Sequence, residues 1–471
     1  MVNKLNYGER LALWLYSVVV WLMQPLVRRK LLRRAKQEPE YGRRIQERFG
    51  RYSDAPSAEW LWVHAVSLGE TRAACLLIAQ LRAQQPGVKL LLTHGTASGW
   101  AAGRAALAPG DRQVWFPWDT PGAVDSFLGH YKPRVGLLLE TEVWPNMVQA
   151  CARHGVPLFL VNARLNRDSY SAARRLRWLS LPAYRGMAGA FAQSSTDAKY
   201  LAALGGHIHG VLGNIKFDFQ PDPEQFLAGR AWRISIGRPV LILVSSRDGE
   251  EAAFIAALAA RRSVARHSSS SERRCQIMVV PRHSHRVSAV AGLFRAAGFS
   301  VSRRSEWIDK PHHADVWLGD TMGELSLYYA MSDVALLGGS FEQFGGQNLI
   351  EAAASGCPLV MGPHTFNFAE AAKWAKESGA ARSAPDMRSG IDVAFQWMDD
   401  KDELETARIR CLEFAGAHQG ASRKTASAVM DLLAATVAQP LAEISRFGSA
   451  LQPINAIPKI NTPAAHRSGA T

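Results

Sequence analysis

The chain has 471 residues, 47% of them apolar and 20% charged, which excludes a disordered protein and leaves room for two packed domains of ordinary size. The formal net charge is +14, and residues 1–51 carry 12 Lys or Arg against 4 Asp or Glu, so the excess is concentrated at one end, as suits an anionic surface. Five cysteines, Cys75, Cys151, Cys275, Cys357 and Cys411, are scattered without C-x-x-C spacing, so neither a disulfide framework nor a zinc site is indicated and a reducing compartment fits.

Between Arg10 and Arg28 run 17 uncharged residues, LALWLYSVVVWLMQPLV, barely enough for one membrane crossing. Arg28, Arg29, Lys30, Arg33, Arg34 and Lys36 follow, the pattern that holds a flank on the cytoplasmic side. A secretory signal would need a small-residue cleavage site here, and the chain continues into arginines instead. Residues 1–36 are therefore read as a membrane anchor, either a short span or a helix lying in the interface, with a buried core helix as the alternative.

From Trp60 short apolar runs alternate with amphipathic stretches: WLWVHAV, KLLLTHG, VWFPW, RVGLLLE, PLFLVNA, GAFAQS and IHGVLGN. Such alternation predicts a parallel, doubly wound sheet. The segment FDFQPDPEQF, with Pro221 and Pro223, reads as a linker. A second series then follows, PVLILVSS, CQIMVVPR, ADVWLGD, VALLGGS and PLVMGP, interrupted by a polar loop at Ser268–Ser271. A helix is predicted near Ala421–Ala438, followed by a polar tail expected to be disordered. The domains are thus set at 37–220 and 221–438, flanked by the anchor and the tail 439–471.

Ligands of such sheets bind beyond the carboxyl ends of the strands, so the residues there carry the functional reading. In HAVSLGET, Glu70 falls in a helix first turn, where a carboxylate either takes a proton from an attacking hydroxyl or merely complements the helix dipole. LLLETEVWPN places Glu140 and Glu142 after a strand, two residues apart, and one of them is expected to face the cleft. The stretch 162–185 supplies Arg164, Arg174, Arg175 and Arg177 among aromatic residues, a set suited to phosphates or to a solvated or membrane-contacting face. GNIKFD brings Lys216 to the domain junction, where a cation would neutralise a carboxylate or departing phosphate.

In the second series, SSRDGEE with Arg247, PRH with Arg282 and His283, and GDTMGEL all follow strands. Gly323, Glu324, Gly345, Gly346 and Asn348 lie at Gly-rich turns whose N–H groups suit an anion, and Glu351 lies within reach of ribose hydroxyls. No G-x-G-x-x-G opens a first strand, which argues against a dinucleotide enzyme. A metal-clamped sugar nucleotide is not suggested.

Taken together and in this order, VHAVSLGET, ETEVWPN, NARL, GNIKFD, SSRDGEE, PRH, GDTMGEL and GGSF followed by GGQNLIEAAA resemble the Kdo (3-deoxy-D-manno-octulosonic acid) transferases of lipopolysaccharide biosynthesis, from the anchor to about residue 435. The resemblance implies a GT-B fold: two Rossmann-like domains facing across a cleft, an N-terminal acceptor domain and a C-terminal CMP-Kdo domain, with the last helix crossing back. It implies Glu70 as catalytic base, an acceptor-side role for Glu140 or Glu142, and Lys216 and Arg247 near the donor carboxylate and phosphate. Arg282, His283, Gly323, Glu324, Gly345, Gly346, Asn348 and Glu351 would line the nucleotide-sugar site. The family often reads GGHNPLEPA where this chain has GGQNLIEAA, which leaves the part played by Gln347 open.

The implied activity is inverting transfer of Kdo from CMP-Kdo to lipid IVA at the cytoplasmic face of the bacterial inner membrane, with no metal or cofactor. Arg164, Arg174, Arg175 and Arg177 would hold the acceptor phosphates, and membrane lipids rather than nucleic acid would be the further partner. Two alternatives stand beside it: another GT-B enzyme, either a different sugar-nucleotide transferase or an epimerase, or a non-enzymatic protein binding anionic membrane surfaces.

Overall fold

The computed structural model describes residues 5–265 and 275–438; the predicted serine loop and the tail lie outside them. Apolar runs with no polar alternation become central parallel strands covered on both faces. Thus β1 (Leu61–His64), β2 (Leu90–His94), β3 (Arg112–Trp115), β4 (Val135–Leu139), β5 (Leu158–Ala163), β6 (Gly189–Ala192) and β7 (Ile208–Val211) form one sheet in the order β3-β2-β1-β4-β5-β6-β7. A second sheet contains β8 (Val240–Ser246), β9 (Gln276–Pro281), β10 (Val301–Arg303), β11 (Val316–Leu318), β12 (Val334–Leu337), β13 (Leu359–Met361) and β14 (Ala381–Ser383), ordered β10-β11-β9-β8-β12-β13-β14. Alternate residues of β8 enter separate cores: Val240, Ile242 and Val244 pack on one face, Leu241 and Leu243 on the other.

The edge strands β10 and β14 are absent from the sequence reading, because three residues containing Arg or Ser carry no apolar run. The expected linker is also shorter than read: Asp222 caps, and Pro223 opens, a helix running to Ile236. By compactness the described residues divide into two units, one of 5–68, 84–211 and 427–438, the other of 69–83 and the described part of 212–426. The fold is therefore α/β of the GT-B type, built from two Rossmann-like sheets.

In the first sheet the chain winds outward in both directions from the central pair β1 and β4; in the second, β8 and β12 form the central pair, and β11 enters between β9 and the edge strand β10. These are the switch points at which doubly wound sheets open a crevice at the strands' carboxyl ends. Backbone strain marks the same places. Glu140, directly after β4, and Ser245, near the end of β8, both adopt left-handed conformations at φ of 60° and 54°.

The apolar N-terminal segment forms one helix, Tyr7–Ala35, started by a capping box between Asn6 and Glu9. Its inner face carries Glu9, Val20 and Leu31, all buried, with Tyr16 and Ser17 between them. Arg185 pairs with Glu9, and Trp118 Nε1 donates to the Val20 carbonyl at 2.9 Å. The outer face leaves Trp14, Trp21, Leu22 and Leu26 at least 60% exposed, so the helix is not a core helix.

Candidate functional site

In the second unit four loops that leave the carboxyl ends of the strands carry the predicted residues. Arg247 follows β8, Arg282 and His283 follow β9, Gly323 and Glu324 follow β11, and Gly345, Gly346 and Asn348 follow β12. Gly338 abuts β8 so closely that a Cβ there would lie 2.5 Å from the carbonyls of Val244 and Ser245. The loops are joined by side chains. Arg247 Nη1 donates to His283 Nε2 at 2.9 Å while its guanidinium lies 4.5 Å from the Phe344 ring centre. Arg282 Nε donates to Gln347 Oε1 at 3.1 Å, which gives the unassigned Gln347 a positioning contact.

Arg282, Arg247 and Arg72 repel one another at this end of the sheet. Burial first, and then the Arg72 and Arg247 charges, lower the Arg282 pKa from its ordinary value. Burial, and then the Arg247 and Arg282 charges, lower the His283 pKa, and its Nε2 accepts from Arg247. Such a surplus of positive charge suits an anionic ligand. Gly345 and Gly346 take φ of 83° and 76°, which aims the turn's backbone as only glycine does without strain.

Asn348 lies just before the short helix Ile350–Ala354: its Oδ1 accepts from the Ile350 N–H and its Nδ2 donates to Glu351 Oε1 at 2.9 Å. The same oxygen accepts from Arg72 Nη1 at 3.0 Å. Arg72 stands two residues beyond Glu70 on the helix Leu68–Gln84, of which residues 69–83 belong to this unit. The helix bearing Glu70, half-buried in its first turn, is thus tied to the loop after β12 through Glu351.

Glu324 sits apart from these contacts, taking hydrogen bonds from Arg304 at 2.9 Å, from Tyr328 at 3.2 Å and from Thr321. Lys216 lies in the turn Ile215–Asp218 with Nζ 5.5 Å from the Phe368 ring centre. Its neighbour Asp218 accepts from the N–H groups of Gly420 and Ser422, capping the helix Ala421–Ala438.

In the first unit the strand ends at Leu139 and Glu140 takes a left-handed turn, so the strand alternation that places residues two apart on one face does not extend to Glu140 and Glu142. Glu142 accepts from Trp144 Nε1 at 2.8 Å, and burial pushes its carboxyl pKa up. Arg164 follows β5 and donates its N–H to the Glu140 carbonyl at 3.4 Å. Arg174, Arg175 and Arg177 are exposed on the helices Arg167–Arg175 and Arg177–Gly186 beside exposed Leu176 and Trp178. His64, which opens the HAVSLGET motif, is fully buried: its ring stacks on Phe116 at 3.8 Å and burial lowers its pKa to about 3.

Sequence reasoning missed Glu250 as an organiser. This buried carboxylate accepts the N–H groups of Arg247, Gly339 and Phe341 at 2.7–3.1 Å, stapling the loops that follow β8 and β12. Glu251 likewise accepts from Ser246 and holds Arg286 through both its oxygens. The paired carboxylates of GEE were the available signal; their partners, some ninety residues away for Glu250, were not readable.

Residues 43–219 match the family model described as 3-deoxy-D-manno-octulosonic-acid transferase (kdotransferase). The 3-deoxy-D-manno-octulosonic acid transferase of Bordetella pertussis is 41% identical over 89% of this chain and 99% of its own length. That of Haemophilus influenzae is 30% identical over 75% of this chain and 83% of its own. Among solved structures, a glycosyltransferase from Rickettsia africae (11% identity, TM-score 0.52, 81% of this chain and 99% of that one) and a UDP-N-acetylglucosamine 2-epimerase (15%, 0.51, 82% and 99%) share the fold. With 41% identity to a relative matched over almost its entire length, this chain belongs to the family of 3-deoxy-D-manno-octulosonic acid transferases and is a glycosyltransferase.

Proposed function

We propose that this protein transfers Kdo from CMP-Kdo to lipid IVA, with inversion and without a metal, on the cytoplasmic face of the inner membrane. The observation that carries the reading is the tie from Arg72 through Glu351 to Asn348, which joins the helix of Glu70 to a cationic, glycine-rich loop cluster in one unit. In this reading Arg247, Arg282 and the turn at Gly345–Gly346 receive the phosphate and carboxylate of the donor, and Glu351 and Asn348 the ribose. Glu70 removes the proton from an acceptor hydroxyl, whose oxygen bonds to the anomeric carbon of Kdo as the bond to the CMP phosphate breaks. Positive charge stabilises the departing phosphate, so no proton is needed there.

Glu142 acts on the acceptor side, and Arg164, Arg174, Arg175 and Arg177 hold its phosphates. The helix Tyr7–Ala35 lies in the membrane interface, since its inner face is occupied by the protein from Glu9 to Leu31 while its outer face is apolar. The test is Kdo transfer by wild type and Glu70→Gln with chelator present. The variant is expected to lose activity by about 10²–10⁴ while binding CMP as wild type does. Undiminished transfer by the variant would remove Glu70 as the base.

A further inference from the structure

The helix Pro145–His154 begins directly after the loop that carries Glu140 and Glu142, and its N-cap residue, Trp144, offers no side-chain cap. A helix start leaves several N–H groups without intrahelical partners. Asp119, 1% exposed, supplies the missing acceptor from elsewhere in the chain: its carboxylate takes the N–H groups of Asn146 at 3.0 Å and Met147 at 2.8 Å. Asn146 returns the contact through Nδ2 to the Asp119 carbonyl at 2.6 Å.

Both residues are gripped by the N-terminal helix. Tyr16 OH donates to Asp119 Oδ2 at 2.9 Å, and Ser17 Oγ donates to Asn146 Oδ1 at 2.9 Å. On the other side of the helix start, Trp144 holds Glu142 and packs 5.8 Å from Phe116. A continuous chain of hydrogen bonds and packing thus runs from one turn of the exposed apolar helix, through a buried carboxylate, to Glu142.

We propose that Asp119 is a positioning residue that couples docking of the N-terminal helix to the geometry of the Glu140–Pro145 loop, so that the acceptor side is assembled only while that helix is seated. The link to the acceptor rests on the role given above to Glu142. Removing the Tyr16 hydroxyl loosens Asp119, the capped N–H groups and then Glu142, without touching the nucleotide loops.

The experiment uses the full chain in wild-type, Tyr16→Phe, Glu142→Gln and doubly substituted forms. Hydrogen exchange over residues 140–148 reads positioning directly, and Michaelis constants for acceptor and donor read its consequence. Tyr16→Phe is expected to speed exchange in that segment and raise the acceptor constant roughly two- to tenfold, as for one lost hydrogen bond, with the donor constant unchanged. In the Glu142→Gln background the Tyr16 effect on the acceptor constant should largely vanish, because the two act in series.

Unchanged exchange in Tyr16→Phe overturns the proposal. So does faster exchange with no change in the acceptor constant when Glu142→Gln alone raises it. If Glu142→Gln changes nothing while exchange still rises, the acceptor role of Glu142 fails and the coupling of the two helices stands.

Discussion

Three glycines of the second unit, each replaced by alanine, separate backbone strain from collision. All three hold positive φ: Gly323 at 86°, Gly345 at 83° and Gly346 at 76°, so each alanine incurs about 1 kcal/mol of conformational cost. Their surroundings differ. Around Gly323 no atom lies within 4 Å of the added Cβ, and at Gly346 the nearest atoms stand at 3.5 Å, an ordinary contact. At Gly345 the Cβ would lie 2.5 Å from the Asn367 amide and closer still to the Phe366 ring. Asn367 cannot yield freely, because it donates through Nδ2 to Phe344 and through its N–H to Gly345, both at 2.9 Å.

Overpacking of this kind adds about 1–3 kcal/mol, giving a total of roughly 2–4 kcal/mol for Gly345→Ala against about 1 for the other two. At about 2–4 °C per kcal/mol for a unit of this size, calorimetry should place the melting temperature of Gly345→Ala some 5–15 °C below wild type. Gly323→Ala and Gly346→Ala should fall by only about 2–4 °C. Displacement of Phe344 from Arg247 should also weaken CMP binding most in Gly345→Ala. Equal shifts in all three variants would refute the steric argument.

Glu351→Ala releases both Arg72 and Asn348, and isothermal titration should find CMP bound roughly tenfold or more weakly, with Arg72→Ala intermediate; unchanged affinity would detach Glu351 from the nucleotide. Burial holds the Asp119 carboxyl up from 3.8 to about 7. The folded protein therefore keeps a proton that the unfolded chain has released, and this stability is complete below about 4 and lost as pH rises through about 7. Buried His64 and His94, lowered to about 3 and 4, titrate in the opposite sense, but they cancel when Asp119→Asn is compared with wild type. Urea unfolding should show the variant gaining on wild type by a few kcal/mol between pH 4 and 7, about 1.4 per unit of pKa shift; a pH-independent difference would contradict the assignment. Replacing Trp14 and Leu22 by serine should abolish sedimentation with anionic vesicles and leave the melting temperature unchanged, since both side chains are at least 60% exposed.

The strands were legible wherever burial on both faces had written an unbroken apolar run, as in VLILV at β8 or VGLLL at β4. They were illegible at β10 and β14, where three-residue edges need no such run. The glycines and Glu351 were found because helix starts and left-handed turns restrict residue type locally. Asp119, Glu250 and Arg72 were not, because their roles are partnerships with residues 27, 89 and 279 positions away that no local pattern encodes. The orientation of Glu140 and Glu142 was not legible either, because strand periodicity orients side chains only within a strand and the left-handed turn at Glu140 ends it. The apolar N-terminal segment was legible as a helix, but its docking through Tyr16 and Ser17 depends on Asp119 and Asn146, far along the chain.

Kdo transfer itself is tested by incubating the purified full chain with lipid IVA and either CMP-Kdo or UDP-N-acetylglucosamine, with chelator present, and determining the anomeric configuration of any product. A Kdo-bearing lipid of inverted configuration is expected from CMP-Kdo alone. Turnover of the UDP sugar without Kdo transfer, or a Kdo product of retained configuration, would contradict it.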